Sequence, residues 1–229
     1  MYCNVLVTKP FDQYFTYKFN IHQKIKKGSL VLVPFGKKKN QIGLVYEISN
    51  TLPIKSPNIK KFQIKEIISV FEDICLEAKL IEFIDWIANY TLAPKGLVLK
   101  LIVVNEKIVD FSLHNNEERK IELKKIRLNL EQKNAFQIIK KALISKYQTI
   151  VLEGVTGSGK TEVYFEAVEN ILKQNKQVLI MIPEISLTQQ FEERFKARFG
   201  FMPDIWHSKI SEKKKKTIWH RCYKGQSTV

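Results

Sequence analysis

The sequence predicts two architectures in series: a small, mainly β, barrel-like domain with one packed helix over residues 1–104, then an incomplete α/β phosphate-loop layer over 128–229. Three observations predict them. Short β-branched or aromatic runs, interrupted by Gly and Pro, fill residues 1–72. From residue 128 the pattern changes to apolar strands alternating with amphipathic helices, the signature of an α/β layer. Between strand and helix stands Gly154-Val155-Thr156-Gly157-Ser158-Gly159-Lys160-Thr161, a full match to GxxxxGK[ST].

The first domain is read element by element. Val5 and Val7, the alternation from Phe15 to Phe19, and the runs at 30–33, 42–48 and 64–71 predict short strands. Gly28, Pro34-Phe35-Gly36, Gly43, Pro53 and Pro57 punctuate them as turns or strand ends. Such spacing fits a closed or half-closed barrel. A helix is predicted over about 76–90, where Leu80, Ile81, Phe83, Ile84, Ile87 and Ala88 recur at helical spacing and would pack on one side of the sheet. Pro94 and Gly96 end that region, and a strand is expected over 97–104. Residues 105–127 are polar and read as a linker, with an edge strand at 107–113 as the alternative.

In the second domain a helix is predicted over about 131–146, with Ala135, Ile138, Ile139, Ala142 and Leu143 on its packed side. A strand at 149–152 enters the glycine loop, and a helix leaves it over about 160–174. The near-continuous apolar run at 176–182 predicts a central parallel strand. A helix at about 186–198, a strand at 202–206 and a lysine-rich helix at about 211–224 follow, with Trp206 and Trp219 expected as packing residues. A further strand begins near Val229, so the layer is predicted to be unfinished.

Composition narrows the partners. Of 229 residues 45% are hydrophobic, enough for two modest cores, and 38 Lys and Arg against 23 Asp and Glu give a formal charge of +15. That surplus suits a polyanion, nucleic acid before an anionic membrane surface. Its lysine bias favours backbone contact over base reading. Cys3, Cys75 and Cys222 are far apart without CxxC spacing, which argues against a disulfide scaffold and a structural zinc site. The apolar runs are too short to span a bilayer, and the expected location is cytoplasmic, with no membrane partner.

The glycine loop carries the chemistry. Its glycines let backbone N–H groups turn inward around the β- and γ-phosphates of a nucleotide, and the helix start adds its positive end. Lys160 is expected to reach the β/γ oxygens and Thr161 to ligate magnesium through its hydroxyl. ATP and Mg2+ are therefore the predicted cofactors. The strand ending near Ile182 delivers Pro183 and Glu184 rather than a metal-holding aspartate. Glu184 there opens a helix or takes a water-activating part; without a second carboxylate the catalytic set is incomplete, and nucleotide can be held but not hydrolysed.

Leu152 through Tyr164 (LEGVTGSGKTEVY) and Ile182-Pro183-Glu184-Ile185-Ser186-Leu187-Thr188 closely resemble the primosomal protein N′ (PriA) family, superfamily 2 DNA helicases that restart stalled replication forks. Leu128-Asn129-Leu130-Glu131-Gln132 resembles the family's adenine-reading segment, with Gln132 in the place of the base-recognising glutamine. Phe199-Gly200 and His207-Ser208 also fit, although Lys209 replaces the usual glycine. The resemblance implies a RecA-like first motor lobe, ATP-dependent 3′-to-5′ unwinding, and DNA partners in the form of forks, 3′ ends and single strands. Single-strand-binding protein and primosome proteins are the implied protein partners. It reaches the N-terminus, where residues 10–17 and 28–43 resemble the domain that holds the 3′ end of a nascent strand.

Within that domain Phe15, Thr16, Tyr17, Gly36 and Lys65 match the family's 3′-end pocket. An aromatic can stack on the terminal base, Gly36 lets the backbone approach the sugar, and Lys65 can meet a phosphate. An acidic residue is usual where Thr16 stands, and Thr accepts from the terminal hydroxyl more weakly. The alternation of Phe15 and Tyr17 equally fits two barrel-core positions. The family's winged-helix domain has no room in 105–127, and its acidic box, zinc-binding cysteines and second lobe are not in these residues. The chain is thus expected to be an N-terminal portion, by itself unable to hydrolyse ATP or unwind DNA. A non-catalytic module for branched or 3′-ended DNA, or an inactive remnant, are the alternatives. Lys24, Lys26, Lys27, the Lys37–Lys39 run and the Lys213–Lys216 run would add phosphate contacts or remain plain solvated surface; His207 fits a turn residue.

Overall fold

The structure, a computed structural model, describes residues 1–36, 39–51, 64–103, 124, 126–144, 148–183 and 188–229. The chain divides into two compact units, Met1–His114 and Asn115–Val229.

The first unit is built on a five-stranded antiparallel sheet of β1 (Tyr2–Val7), β2 (Phe15–Lys18), β3 (Ser29–Phe35), β4 (Lys39–Ser49) and β5 (Ser69–Cys75), in the order β2-β1-β4-β3-β5. Alternation along each strand sorts the side chains. Cys3, Val5, Val7, Tyr17, Val31, Val33 and Val45 form one buried cluster with Phe19 and Ile67. Leu6, Leu30, Ile42 and Leu44, at the intervening positions, are buried on the opposite face. The run predicted as one strand over 64–71 splits its pairing. Lys18 N–H donates to Lys65 O (2.9 Å), Ile67 N–H donates to Lys18 O (3.0 Å), and Ile68 N–H donates to Leu32 O (2.9 Å). Residues 65–68 thereby join the β2 edge to β3, and the sheet curls into a half-closed barrel. A register shift between Asn4 and Val5 falls where β1 must bend.

Two helices follow: α1 (Ala78–Thr91), which buries Ile81, Ile84 and Ala88, and α2 (Lys95–Ile102). Phe83, which spacing assigned to the packed side, is instead exposed. The strand expected over 97–104 is the helix α2 as far as Ile102. Its apolar run fits either period, and long-range contacts decide. Lys95 N–H donates to Asp12 Oδ1 (2.9 Å) and Gly96 N–H to Phe11 O (3.0 Å), so the loop after β1 satisfies the first donors of α2. At Gly96 a Cβ would overlap the carbonyl oxygens of Val7 and Lys9, so glycine is what lets α2 lie against β1.

The second unit contains α3 (Leu130–Ala142), α4 (Lys160–Leu172), α5 (Thr188–Phe199) and α6 (Glu212–Tyr223). Its core is aromatic: Phe165, Phe195, Phe199 and Phe201 are buried with Val168 and Leu172. Arg198, also buried, donates to Glu166 (2.8 Å) and Glu169 (2.7 Å), tying α5 to α4. The strands predicted at 149–152, 176–182 and 202–206 form no β ladder among the described residues. Val178 N–H donates to Thr228 O and Asp204 N–H to Val229 O, each 2.9 Å, so residues 228–229 lie between two of these segments. A strand acquires its geometry from its neighbours, and among the described residues the backbone pairing here is with residues 228 and 229. Leu179 and Met181 are both 85% exposed in consequence. Ile138 and Trp206, expected in packing, are likewise exposed. Among the described residues no helix is long and apolar enough to cross a membrane.

Candidate functional site

The glycine loop, residues 154–159, leads directly into α4, whose first residues are Lys160 and Thr161. Gly157 (φ 82°) and Gly159 (φ 80°) hold the left-handed conformation that lets successive amides face one point. The Lys160 ammonium lies over the loop, donating to the carbonyl oxygens of Gly154 (2.5 Å) and Val155 (3.0 Å). The loop is braced from α3. Gln132 closes a capping box, its Oε1 accepting from Asn129 N–H (3.0 Å) and Asn129 Oδ1 accepting from Gln132 N–H (2.8 Å). The Gln132 Nε2 also donates to Ser158 O (3.1 Å). That amide keeps one N–H and one lone pair beyond these bonds, the donor–acceptor pair that a base edge needs. A Cβ at Gly159 would overlap Gln132 Nε2, so the contact depends on glycine.

A cavity of about 680 Å³ adjoins Thr161, lined by Tyr164, Val168, Ile180, Phe191 and Arg194 among others. Arg194 donates to Glu162 (2.7 Å) beside it. Glu184 lies outside the described residues, as do Lys37 and Lys38. His207 accepts at Nδ1 from Lys209 N–H (3.1 Å), closing a turn. Of the lysine run on α6, Lys215 pairs with Glu212 (2.9 Å).

In the barrel the five sequence-selected residues fall into two groups. Phe15, Gly36 and Lys65 gather at one end. Phe15 meets Phe35 (5.0 Å) and Phe11 (5.5 Å) edge to face, and Lys65 Nζ donates to Gly36 O (3.2 Å), with Gly36 at φ 69°. Tyr17 is closed inside the core, its hydroxyl donating to Pro34 O (3.3 Å). Burial pushes its phenol up to about 12, with Cys3 adding to the effect. Thr16 points to the opposite face, where its hydroxyl donates to Asn4 Oδ1 (3.0 Å) and Asn4 Nδ2 donates to Glu47 Oε2 (3.1 Å). Glu47 thus places a carboxylate one side chain away from Thr16. Only the register Thr16↔Asn4↔Glu47 across three strands reveals it, so sequence spacing carried no signal. Phe11 and Phe35 were missed because only the fold brings their rings against Phe15 and each other. A further cluster, Lys95 Nζ to Asp85 (2.7 Å) with Tyr14 and Tyr46 in ring contact (4.7 Å), fixes α2 to α1 and the sheet, and raises the Lys95 ammonium through its bond to Asp85.

Residues 4–104 match the family model of the 3′ DNA-binding domain, and residues 125–227 that of the type III restriction enzyme, res subunit, a helicase-type domain. The chain is 36% identical over 196 residues to the replication restart protein PriA of Rickettsia felis, covering 83% of this chain and 28% of that protein. It is 42% identical over 103 residues to PriA of Haemophilus influenzae (45% of this chain, 14% of the relative). Against PriA of Bacillus subtilis it is 41% identical over 97 residues (42% and 12%). It therefore spans just over a quarter of the Rickettsia relative's length. With a 3′ DNA-binding domain followed by a helicase-type domain, the chain belongs to the family of the replication restart protein PriA and corresponds to its N-terminal portion.

Proposed function

We propose that this chain supplies the 3′-end-binding domain and most of the first motor lobe of an ATP-dependent 3′-to-5′ DNA helicase that recognises forked DNA and loads the primosome. The observation that carries the reading is the loop of 154–159 turned by left-handed glycines into the N-terminus of α4, with the Lys160 ammonium over it and Gln132 against it. The loop amides and the α4 dipole would hold the β/γ-phosphates. Lys160 would exchange its two carbonyl partners for phosphate oxygens, where a charge-assisted bond is stronger. Thr161 would ligate Mg2+, which supplies charge neutralisation on the phosphates. Gln132 would read adenine with its remaining donor and acceptor. In the barrel Phe15 would stack on the terminal base, Gly36 admit the sugar, and Lys65 meet a phosphate.

Isothermal calorimetry with Mg-ATP on the whole chain tests the first half. Uptake is expected in the wild type, with a loss of about tenfold or more in affinity for Lys160→Ala, since a charged hydrogen bond is worth about 1.5–3 kcal/mol. No uptake by a folded wild-type chain sinks the motor reading. A second reading, a non-catalytic binder of 3′-ended or branched DNA, is favoured by the exposure of Leu179 and Met181 in a segment that joins no β ladder among the described residues. DNA-stimulated ATP turnover abolished by Lys160→Ala would exclude it.

A further inference from the structure

The helix α1 carries a feature that neither the loop nor the 3′-end residues use. Phe83, Trp86 and Tyr90 stand in one line along it, diametrically opposite the buried Ile81, Ile84 and Ala88. Their rings are stacked nearly parallel, 9° between planes at each step, with centroids 5.9 Å and 5.2 Å apart. All three are open to solvent, by 50%, 58% and 77% respectively. Burial of the helix does not need these rings, and three aromatics in a row leave much of their apolar surface in water.

We propose that this ring ladder is a stacking platform for the unpaired bases of single-stranded DNA, distinct from the 3′-end residues and resting on the reading of the first unit as a DNA-binding domain. Tyr90, the most exposed ring, ends the stack, and a planar base laid on it continues the series. The rings are already aligned by the helix, so little side-chain freedom is lost on binding. Charge selects the same occupant. Lys79 lies one turn before Phe83 on the same line, and Lys100 is exposed beside Leu101 on α2. Asp85 is engaged by Lys95, Glu82 sits on the flank and Glu77 caps the helix. Residues 1–103 carry 15 Lys against eight Asp and Glu, so the strand's phosphates are drawn to this unit, where the exposed large apolar side chains of α1 itself are all flat aromatics. Stacking of this kind tolerates any sequence, because every base has a π-face.

The test separates the ladder from the 3′-end residues by using a single-stranded DNA circle, which has no end. Affinity of the whole chain for an oligothymidylate circle, read by fluorescence anisotropy, should fall about tenfold in Tyr90→Ala, with an unchanged salt slope and thermal midpoint. A circle carrying 5-iodouracil should photocrosslink within residues 78–91. Unchanged circle binding in both Phe83→Ala and Tyr90→Ala, or crosslinks only elsewhere, overturns the proposal. So does a wild type that binds 3′-ended strands but not the circle, whereas failure to bind either would sink the DNA-binding reading itself. If sedimentation shows that Trp86→Ala dissolves a self-associated species while circle binding persists, the ladder is a protein interface and the proposal is wrong.

Discussion

Tyr17 and Cys3 show how one residue's environment sets a property of its whole domain. They face each other across β1 and β2 in the barrel core, with the Cys3 thiol pushed by burial up to about 12 and the Tyr17 phenol likewise to about 12. Both are neutral when folded at neutral pH. In the unfolded chain they ionise near their ordinary values, 9 and 10, so between there and 12 the unfolded state has lost protons that the folded state retains. Their contribution is therefore complete below about pH 9 and is lost as pH rises through 12, at about 1.4 kcal/mol per unit for each group. Urea midpoints of the first unit should decline steeply over that window, and Tyr17→Phe should make the decline shallower. A flat profile to pH 12 would show that the ring and thiol are not enclosed. The same burial explains why the sequence left two readings of Phe15 and Tyr17 open. Alternation placed both rings on one face, and only closure of the barrel made Tyr17 a core residue while Phe15 stayed half-buried at its end.

At the scale of elements, α2 is where local pattern and tertiary contact disagree. The sequence Lys95–Ile102 places Pro94 and Gly96 where a break is expected and then a run of large apolar residues that suits a strand. The helix forms because Asp12 and the Phe11 carbonyl satisfy its first N–H groups and because Gly96 permits contact with β1. Gly96→Ala makes the balance measurable. Alanine would favour the helix by ~1 kcal/mol on propensity, but its methyl meets two backbone carbonyls that cannot move without shifting β1, and overpacking of that kind costs about 1–3 kcal/mol or more. The expected outcome is net destabilisation in denaturant titration. Stabilisation would mean that α2 does not press on β1. By contrast α3, α4 and α6 were legible, because their signals are local: Asn129 with Gln132, Gly159 ahead of Lys160, and Ser211 accepting from Lys214 N–H (3.3 Å).

At the scale of the whole chain, the first unit holds a paired sheet, whereas the described residues of the second unit form none. In Met1–His114 each inner strand has two neighbours and the sheet edge is bridged at Lys18 and Glu66. In Asn115–Val229 helix-to-helix contacts, the aromatic cluster and the Arg198 ion pairs hold the unit, while Val151, Leu179 and Met181 face outward. Exposed apolar surface of that kind takes up hydrophobic dyes. The native chain should bind anilinonaphthalene sulfonate at neutral pH, and Leu179→Lys with Met181→Lys should reduce the signal by about half without loss of helical circular dichroism. An absence of dye binding would mean that this face is covered in solution.

The residues alone determined whatever depends on neighbours along the chain. They set the glycine loop and the helix it starts, the helix caps, the strand-rich first half, and the excess of positive charge. Tertiary structure decided what depends on residues far apart in sequence. Asp12 made α2 a helix, the bridge at Lys18 curled the sheet, and strand register put Glu47 beside Thr16. Packing of one side of α1 left Phe83, Trp86 and Tyr90 aligned on the other. The physical reason is range: turns, caps and phosphate loops are satisfied within a few residues, whereas burial and ladder pairing are properties of whatever the fold brings alongside.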